Sequence, residues 1–210
     1  MVLKGATLAT GNTRERIVET AIALFNERGT HAVSTNHIAE ALGISPGNLY
    51  YHFRNKEEII LAGYEKALVD FDAIWVDARL AAPSPEAMFG LMEGTFEVEW
   101  RYRFFQREAP ALVQADPRLA ERYRTVQRQR LALLRALVDG WVAAGVLAPM
   151  DENQRDDLAT ATYVLGESWV GWLEATGAGN DQHEFRRGVR LMREIVRPHL
   201  KSRAVGDSGE

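Results

Sequence analysis

Apolar residues recur along the chain at helical rather than alternating spacing, and the breaks between these stripes carry helix start and stop signals. The pattern predicts an all-α fold of about nine helices. Asn12 stands three residues before Glu15 in capping-box spacing, and Ile17, Ala21, Leu24 and Phe25 form a stripe that ends at Gly29. Ser34 is placed to cap a second, short helix through Ile38, Ala41 and Leu42 that closes at Gly43. Ser45, with Pro46 at the first helical position, opens a third only a few residues later. Asn55 and Glu58 repeat the capping-box spacing before a long stripe of Ile59, Ile60, Tyr64, Leu68, Phe71 and Trp75 running toward Leu80. After the break AAPSPE, Ser84 and Pro85 begin a fifth helix, and RYRFFQREAPALVQ reads as a less regular sixth with Pro110 inside it. Asp116-Pro117 starts a long arginine-rich seventh that ends near Gly145. Asp151 with Gln154, and Asp181 with Glu184, start the eighth and a ninth that stops before Pro198.

Composition narrows the class without naming it. In 210 residues there is no cysteine, so neither a disulfide framework nor a thiolate metal site is available. The N-terminal residues lack the apolar run of a signal peptide, and no uncharged stretch approaches the roughly 18 residues of a membrane span; a cytoplasmic location is expected. The net charge of −4 is unevenly spread. Residues 1–66 hold seven Lys/Arg and seven Asp/Glu, so the whole deficit falls in the remainder, and residues 41–56 contain Arg54 and Lys56 with no acid. His37 and His52 lack partners at metal-ligand spacing, and no metal or cofactor is expected.

Three helices in about 40 residues, the second and third joined by a tight glycine-containing turn, match the helix-turn-helix plan, in which the later helix enters the DNA major groove. Leu49 and Phe53, one turn apart, should face inward and aim Gly47, Asn48, Tyr50 and Tyr51 outward or sideways. RIVETAIALFNERG at 16–29, STNHIAEALGIS at 34–45 and GNLYYHFRNKEEII at 47–60 together resemble the TetR family of transcriptional regulators over about 50 residues. Beyond them the likeness is one of helix number and length. The resemblance implies a flexible arm at 1–11, a DNA-binding domain at 12–72 with the helix-turn-helix at about 34–54, an effector-binding and dimerisation domain at 73–200 and a disordered tail at 201–210. It implies Thr35 and Asn36 as base or phosphate contacts, and Pro46, Gly47 and Asn48 toward base edges. Tyr50, Tyr51 and His52 would meet phosphate and sugar, and Lys56 would anchor the DNA backbone beside a helix N-terminus. Asn36, Asn48 and Pro46 suit specificity, since Asn can pair with adenine and an apolar ring can touch a thymine methyl. One of the two tyrosines can instead serve to wedge the third helix in place.

In the larger part most aromatic residues must be core. By the same resemblance, helices five to eight enclose a small, largely apolar effector, with Met88, Met92, Phe96, Trp100, Phe104, Tyr123, Gln127 and Tyr163 as candidate contacts. Glu93, Glu97 and Glu99 fit a solvated face better than a cation site. Helices eight and nine would form a homodimer interface through Ala159, Gly166, Val189, Met192 and Val196, although the same pattern fits packing inside one chain. GESWV at 166–170 departs from the G-x-S-x-G nucleophile elbow at Val170 and lies within a helical stripe, and no enzyme motif stands against the regulator reading. The expectation is a one-component repressor on a palindromic operator. An activator or global regulator of the same fold, or a helical small-molecule-binding protein without DNA function, remain the alternatives.

Overall fold

The computed structural model describes residues 13–179 and 181–201. The Asn12 cap, the N-terminal arm and the tail beyond Lys201 lie outside them. Among the described residues the chain is all-α, with helices α1 Thr13–Arg28, α2 Thr35–Leu42, α3 Pro46–His52, α4 Lys56–Leu80, α5 Pro85–Arg101, α6 Arg103–Ala115, α7 Pro117–Ala143, α8 Glu152–Ala175 and α9 Gln182–Val196. A 3₁₀ turn, Arg197–His199, follows α9, so Pro198 ends the α-helix without ending helical winding. Chain contacts divide the molecule into two units between Ala67 and Leu68, inside α4, whereas the sequence places the boundary at 72–73.

The helix starts follow the capping signals with two departures. Ser34 caps α2 with His37 reaching back to the Ser34 N–H, and Asp151 and Gln154 close the reciprocal box on α8. At α4, Asn55 Oδ1 accepts the Glu58 N–H at 2.9 Å, but the Glu58 carboxylate accepts from Arg54, one residue further back than a capping box requires. At α9, Asp181 accepts the N–H groups of His183 and Glu184, while Glu184 pairs with Arg187. Gly43 ends α2 at φ 70°, a left-handed conformation that favours glycine.

In the first unit α1 packs on α2 and α2 on α3. Its core includes Ile17, Val18, Phe25, Ile38, Leu49 and Phe53, all buried. Ala41, expected in the α2 stripe, is exposed.

In the second unit two apolar clusters form. One gathers Trp75, Met88, Leu91, Val138, Trp141 and Leu158 with their neighbours; the other gathers Phe96, Trp169, Val170, Leu173, Phe185 and Met192. A short antiparallel bridge between Leu147 and Leu200 ties the end of the chain to the α7–α8 connection. Proline 110 leaves α6 helical over its whole length. It cannot donate to the Gln106 carbonyl one turn back, and that carbonyl faces Gly171 of α8.

The tightest approach is at Gly188 of α9. A Cβ there would overlap the Phe96 ring and lie 2.6 Å from Trp169 Cδ1. Overpacking of this kind costs about 1–3 kcal/mol, so Gly188→Ala should lower the denaturant midpoint clearly. Gly90→Ala, at an open helical position, should be neutral or stabilising. Equal effects from the two substitutions in urea unfolding would contradict this packing.

Candidate functional site

Unit one presents a small head built around α2 and α3. Seven residues are too few for a helix to hold itself, and side chains fix α3 instead. Ser45 Oγ accepts the Asn48 N–H, Pro46 sits in the first turn, and Leu49 and Phe53 are buried. The Arg14 guanidinium lies 4.7 Å above the Phe53 ring, and Thr35 Oγ1 and the Tyr50 hydroxyl are 3.0 Å apart, tying α2 to α3. Lys56 Nζ donates to the Thr30 carbonyl at 2.6 Å, holding the start of α4 to the loop before α2.

These ties sort the candidate DNA contacts. Asn36, Pro46, Gly47 and Asn48 are exposed on the second and third helices. Tyr51 is 85 % exposed, with its ring edge-on to His52 at 5.1 Å, whereas Tyr50 is 50 % exposed and bonded to Thr35. Of the two tyrosines Tyr50 therefore has the structural tie. Thr35, His52 and Lys56 are partly buried, and Lys56 already spends one of its three donors within the head. His37 is occupied in the α2 capping box.

In unit two the eight candidate effector residues do not line one site. Met88 belongs to the first apolar cluster, Phe96 to the second, and Met92 packs against both. Phe104 is fully buried, and the Trp100 ring lies 4.8 Å from Phe185. Tyr123, Gln127 and Tyr163 do converge. Gln127 Nε2 and the Tyr123 hydroxyl donate to Glu167 Oε2 at 2.7 and 3.2 Å, and the Tyr163 hydroxyl donates to Gln127 Oε1. A cleft of about 110 Å³, lined by Asp72, Trp75, Arg122, Gln129, Arg130 and Leu133 among others, contains none of the eight.

Two acids were misjudged or missed at this centre. Glu99 is 2 % exposed rather than on a solvated face, and its Oε2 has no hydrogen-bond partner, while Glu93 and Glu97 are exposed as expected. Glu167 has its carboxylate turned inward among the donors just named. Burial pushes the Glu99 carboxyl well above the usual range, with Glu167 adding to the rise and Arg130 opposing it. Burial also raises Glu167, against hydrogen bonds from Gln127, Tyr123 and Gln106 and the charge of Arg130. Arg130 is itself held by Asp72 at 3.0 Å and stacks over Phe71 at 4.7 Å. One signal in the sequence distinguished Glu99: it falls out of step with Glu93 and Glu97, between Val98 and Trp100.

Of the candidate dimer residues, Ala159, Gly166, Met192 and Val196 are buried and Val189 is partly buried within the chain. A Cβ at Gly166 would lie 2.9 Å from Met192 Cε. Gly166 and Met192 thus pack α8 on α9, and Ala159 and Val196 belong to the first apolar cluster. The exposed apolar residues of α8 are Ala161, Val164, Trp172 and Ala175. Ser168 lies exposed within α8, not at a strand-to-helix turn. Among the described residues no group of three or more His, Cys, Asp or Glu could hold a metal ion, and no helix is long and apolar enough to cross a membrane.

Comparison with known proteins places both units. Residues 17–62 match the family model described as bacterial regulatory proteins, tetR family, and residues 74–205 match the model described as bacterial transcriptional repressor. The HTH-type transcriptional regulator UidR of Escherichia coli K12 is 44 % identical over 63 residues, which cover 28 % of this chain and 32 % of UidR. The chain thus spans about a third of the length of such relatives. A crystal structure of a TetR-family regulator from Marinobacter aquaeolei superimposes with a TM-score of 0.81 at 32 % identity, covering 90 % of this chain and 92 % of that one. A putative transcriptional regulator from Saccharomonospora viridis, solved in complex with choline, shares the fold at a TM-score of 0.73 and 22 % identity, over 91 % and 98 % of the two chains.

The raised carboxyl of Glu99 has a signed consequence. The folded chain holds this proton more tightly than the unfolded chain does, so from about pH 4.3 upward, where an unfolded Glu ionises, stability falls with rising pH until the folded carboxyl ionises too. Glu99→Gln removes that loss. Its melting temperature should exceed that of the unaltered chain by a margin that grows as pH rises above about 4.3. A margin independent of pH would show that the Glu99 carboxyl does not carry the effect.

Proposed function

Because the chain belongs to the TetR family of bacterial transcriptional regulators, we propose that it acts as a homodimeric repressor of a palindromic operator, released by a small effector bound in the second unit. The single observation that carries the reading is the head: a capped, side-chain-anchored α3 whose first turn, Pro46 to Asn48, is exposed beside Asn36 of α2. Asn48 and Asn36 read base edges, with Pro46 against a thymine methyl. Tyr51 and His52 contact phosphate and sugar, and Lys56 uses its remaining donors on the DNA backbone. Thr35 and Tyr50 contribute through their mutual bond, which sets the angle of α3 on α2.

Two copies meet through the exposed face of α8 at Val164 and Trp172, the latter stacked on Trp169. Symmetric dimers set two heads on successive major grooves about 34–36 Å apart. An effector releases the operator only by binding more tightly to the dimer whose heads miss that spacing. A protein of the same fold was solved in complex with a small molecule, choline, in keeping with a small-molecule effector. The body of the effector is largely apolar, in keeping with the aromatic and methionine-rich surroundings of α5. A chain that acts on DNA in this way works in the cytoplasm.

Purified protein mixed with fragments of the source genome should enrich a palindromic sequence; recovery of random fragments alone refutes the reading. On the recovered site Asn48→Ala should cost about 1–3 kcal/mol and leave random DNA unaffected. Lys56→Ala should weaken all DNA equally and flatten the salt dependence. It should also lower the melting temperature, because it removes the hydrogen bond that holds the start of α4 to the loop before α2.

A further inference from the structure

Where α5, α6, α7 and α8 meet around Glu167, buried acceptors are left without donors, and the buried donor without a partner on α6 is Arg103 Nε. Gln127 Nε2, the Tyr123 hydroxyl and the Gln106 side chain all donate to Glu167, and the Tyr163 hydroxyl is taken by Gln127 Oε1. Glu99 Oε2 and Gln106 Oε1 remain buried with no partner. Glu99 Oε1 sits 3.5 Å from the position of a Cβ on Gly166, immediately before Glu167, so the two carboxylates belong to one place.

Positive charge is equally short. Arg130 acts on both carboxylates but is engaged by Asp72 and by the Phe71 ring. Arg103 lies over Trp100 at 4.5 Å and donates to the Trp100 carbonyl, and its own guanidinium is disfavoured by burial and by Arg107. Without a ligand, Glu99 meets its burial by keeping its proton, and neither a neutral apolar ligand nor an anion offers its carboxylate a partner. A ligand that brings both a positive charge and N–H groups can take the place of that proton.

We propose that the effector of this protein is an organic cation bearing N–H donors, a protonated amine or a guanidinium, whose charged head is received by Glu99 and Glu167 and whose remainder is apolar. The inference rests on the reading of the second unit as the effector-binding part and names the chemistry of that site. It sets the cation apart from a quaternary ammonium group, which has charge but no N–H to offer Glu99 Oε2 or Gln106 Oε1. The buried acids also select against fatty acids and other anions, which would add a third negative group to the pair.

Calorimetric titration of the full chain with hexylammonium, hexylguanidinium, hexyltrimethylammonium, 1-hexanol and hexanoate tests this directly. Hexylammonium or hexylguanidinium should bind, the trimethylammonium analogue should bind about tenfold or more weakly for want of hydrogen bonds, and the alcohol and the carboxylate should not compete. Glu99→Gln should weaken the bound amine or guanidinium by about thirtyfold or more while the variant still melts cooperatively. The probe series on the unaltered chain decides the matter by itself if the variant fails to fold. No binding of either N–H cation, equal binding of hexanoate, or undiminished affinity in folded Glu99→Gln overturns the proposal. Operator binding by the ligand-free protein is measured separately. Its absence counts against the repressor reading, and its presence without cation binding counts against this inference alone.

Discussion

Much of the second unit follows from two places where a helix backbone is allowed unusually close to its neighbours. Gly188 brings α9 against the rings of Phe96 and Trp169, and Gly166 admits the methyl of Met192 where a larger residue would push α8 away. Trp169 completes the contact by donating its indole N–H to the Phe185 carbonyl at 3.1 Å. Interiors packed to crystal-like density do not absorb an extra methyl group freely, so these contacts fix the separation of α5, α8 and α9. Glu167 follows Gly166 directly, and Glu99 is three residues after Phe96. The closeness that seats the aromatic cluster is thus also what draws two carboxylates into one buried space.

Such an arrangement opposes stability. Burial favours the protonated forms of Glu99 and Glu167, the charge of Glu167 adds to it at Glu99, and at Glu167 the donors of Gln127, Tyr123 and Gln106 offset part of the cost. The rest of the unit supplies ample apolar packing in two clusters, so the fold tolerates the loss. A binding site has a physical reason to be made this way. A ligand can shift a conformational equilibrium only by what it gains in one state over another, and a buried acid that lacks a partner gains much in a state where a donor reaches it.

The head was far more legible in the sequence than the buried acids of the second unit. Helix caps act over three residues, so Ser34, Ser45, Asp116 and Asp151 announce their helices from local sequence alone, and the structure carries each of them. The same holds for Leu49 and Phe53, whose one-turn spacing correctly turned Asn48 and Tyr51 outward. What failed depended on contacts distant in the chain. Glu99 looked solvated beside Glu93 and Glu97; its place out of step with them was the one local signal, and that α8 covers it is a contact distant in the chain. The small residues Ala159 and Gly166 read as a seam for a second chain, and local sequence could not show that both are already buried within the first. Methionines and aromatics at helical spacing suggested one ligand wall, but two separate clusters claim most of them. Only the hydrogen-bonding members, Tyr123, Gln127 and Tyr163, truly share a site, since a buried polar atom must find a partner and thereby reveals its neighbours.

The two units differ in charge balance, and the difference bears on how the head must work. A head with balanced charge, and no arginine on the exposed part of α3, draws only weakly on the general attraction between cations and phosphate. Its discrimination must then come from correct placement of a few polar and apolar groups, which is why the internal ties matter: Thr35 to Tyr50, Arg14 to Phe53, Lys56 to Thr30. A loosely held head would lose the sequence-specific part of its affinity and have little non-specific affinity left. Placement of this kind is also easily withdrawn, because a pair of weakly attracted heads set off register has no strong electrostatic grip to hold it on DNA. The acidic second unit deepens that dependence, since its excess negative charge opposes the approach of phosphate wherever the heads are not seated.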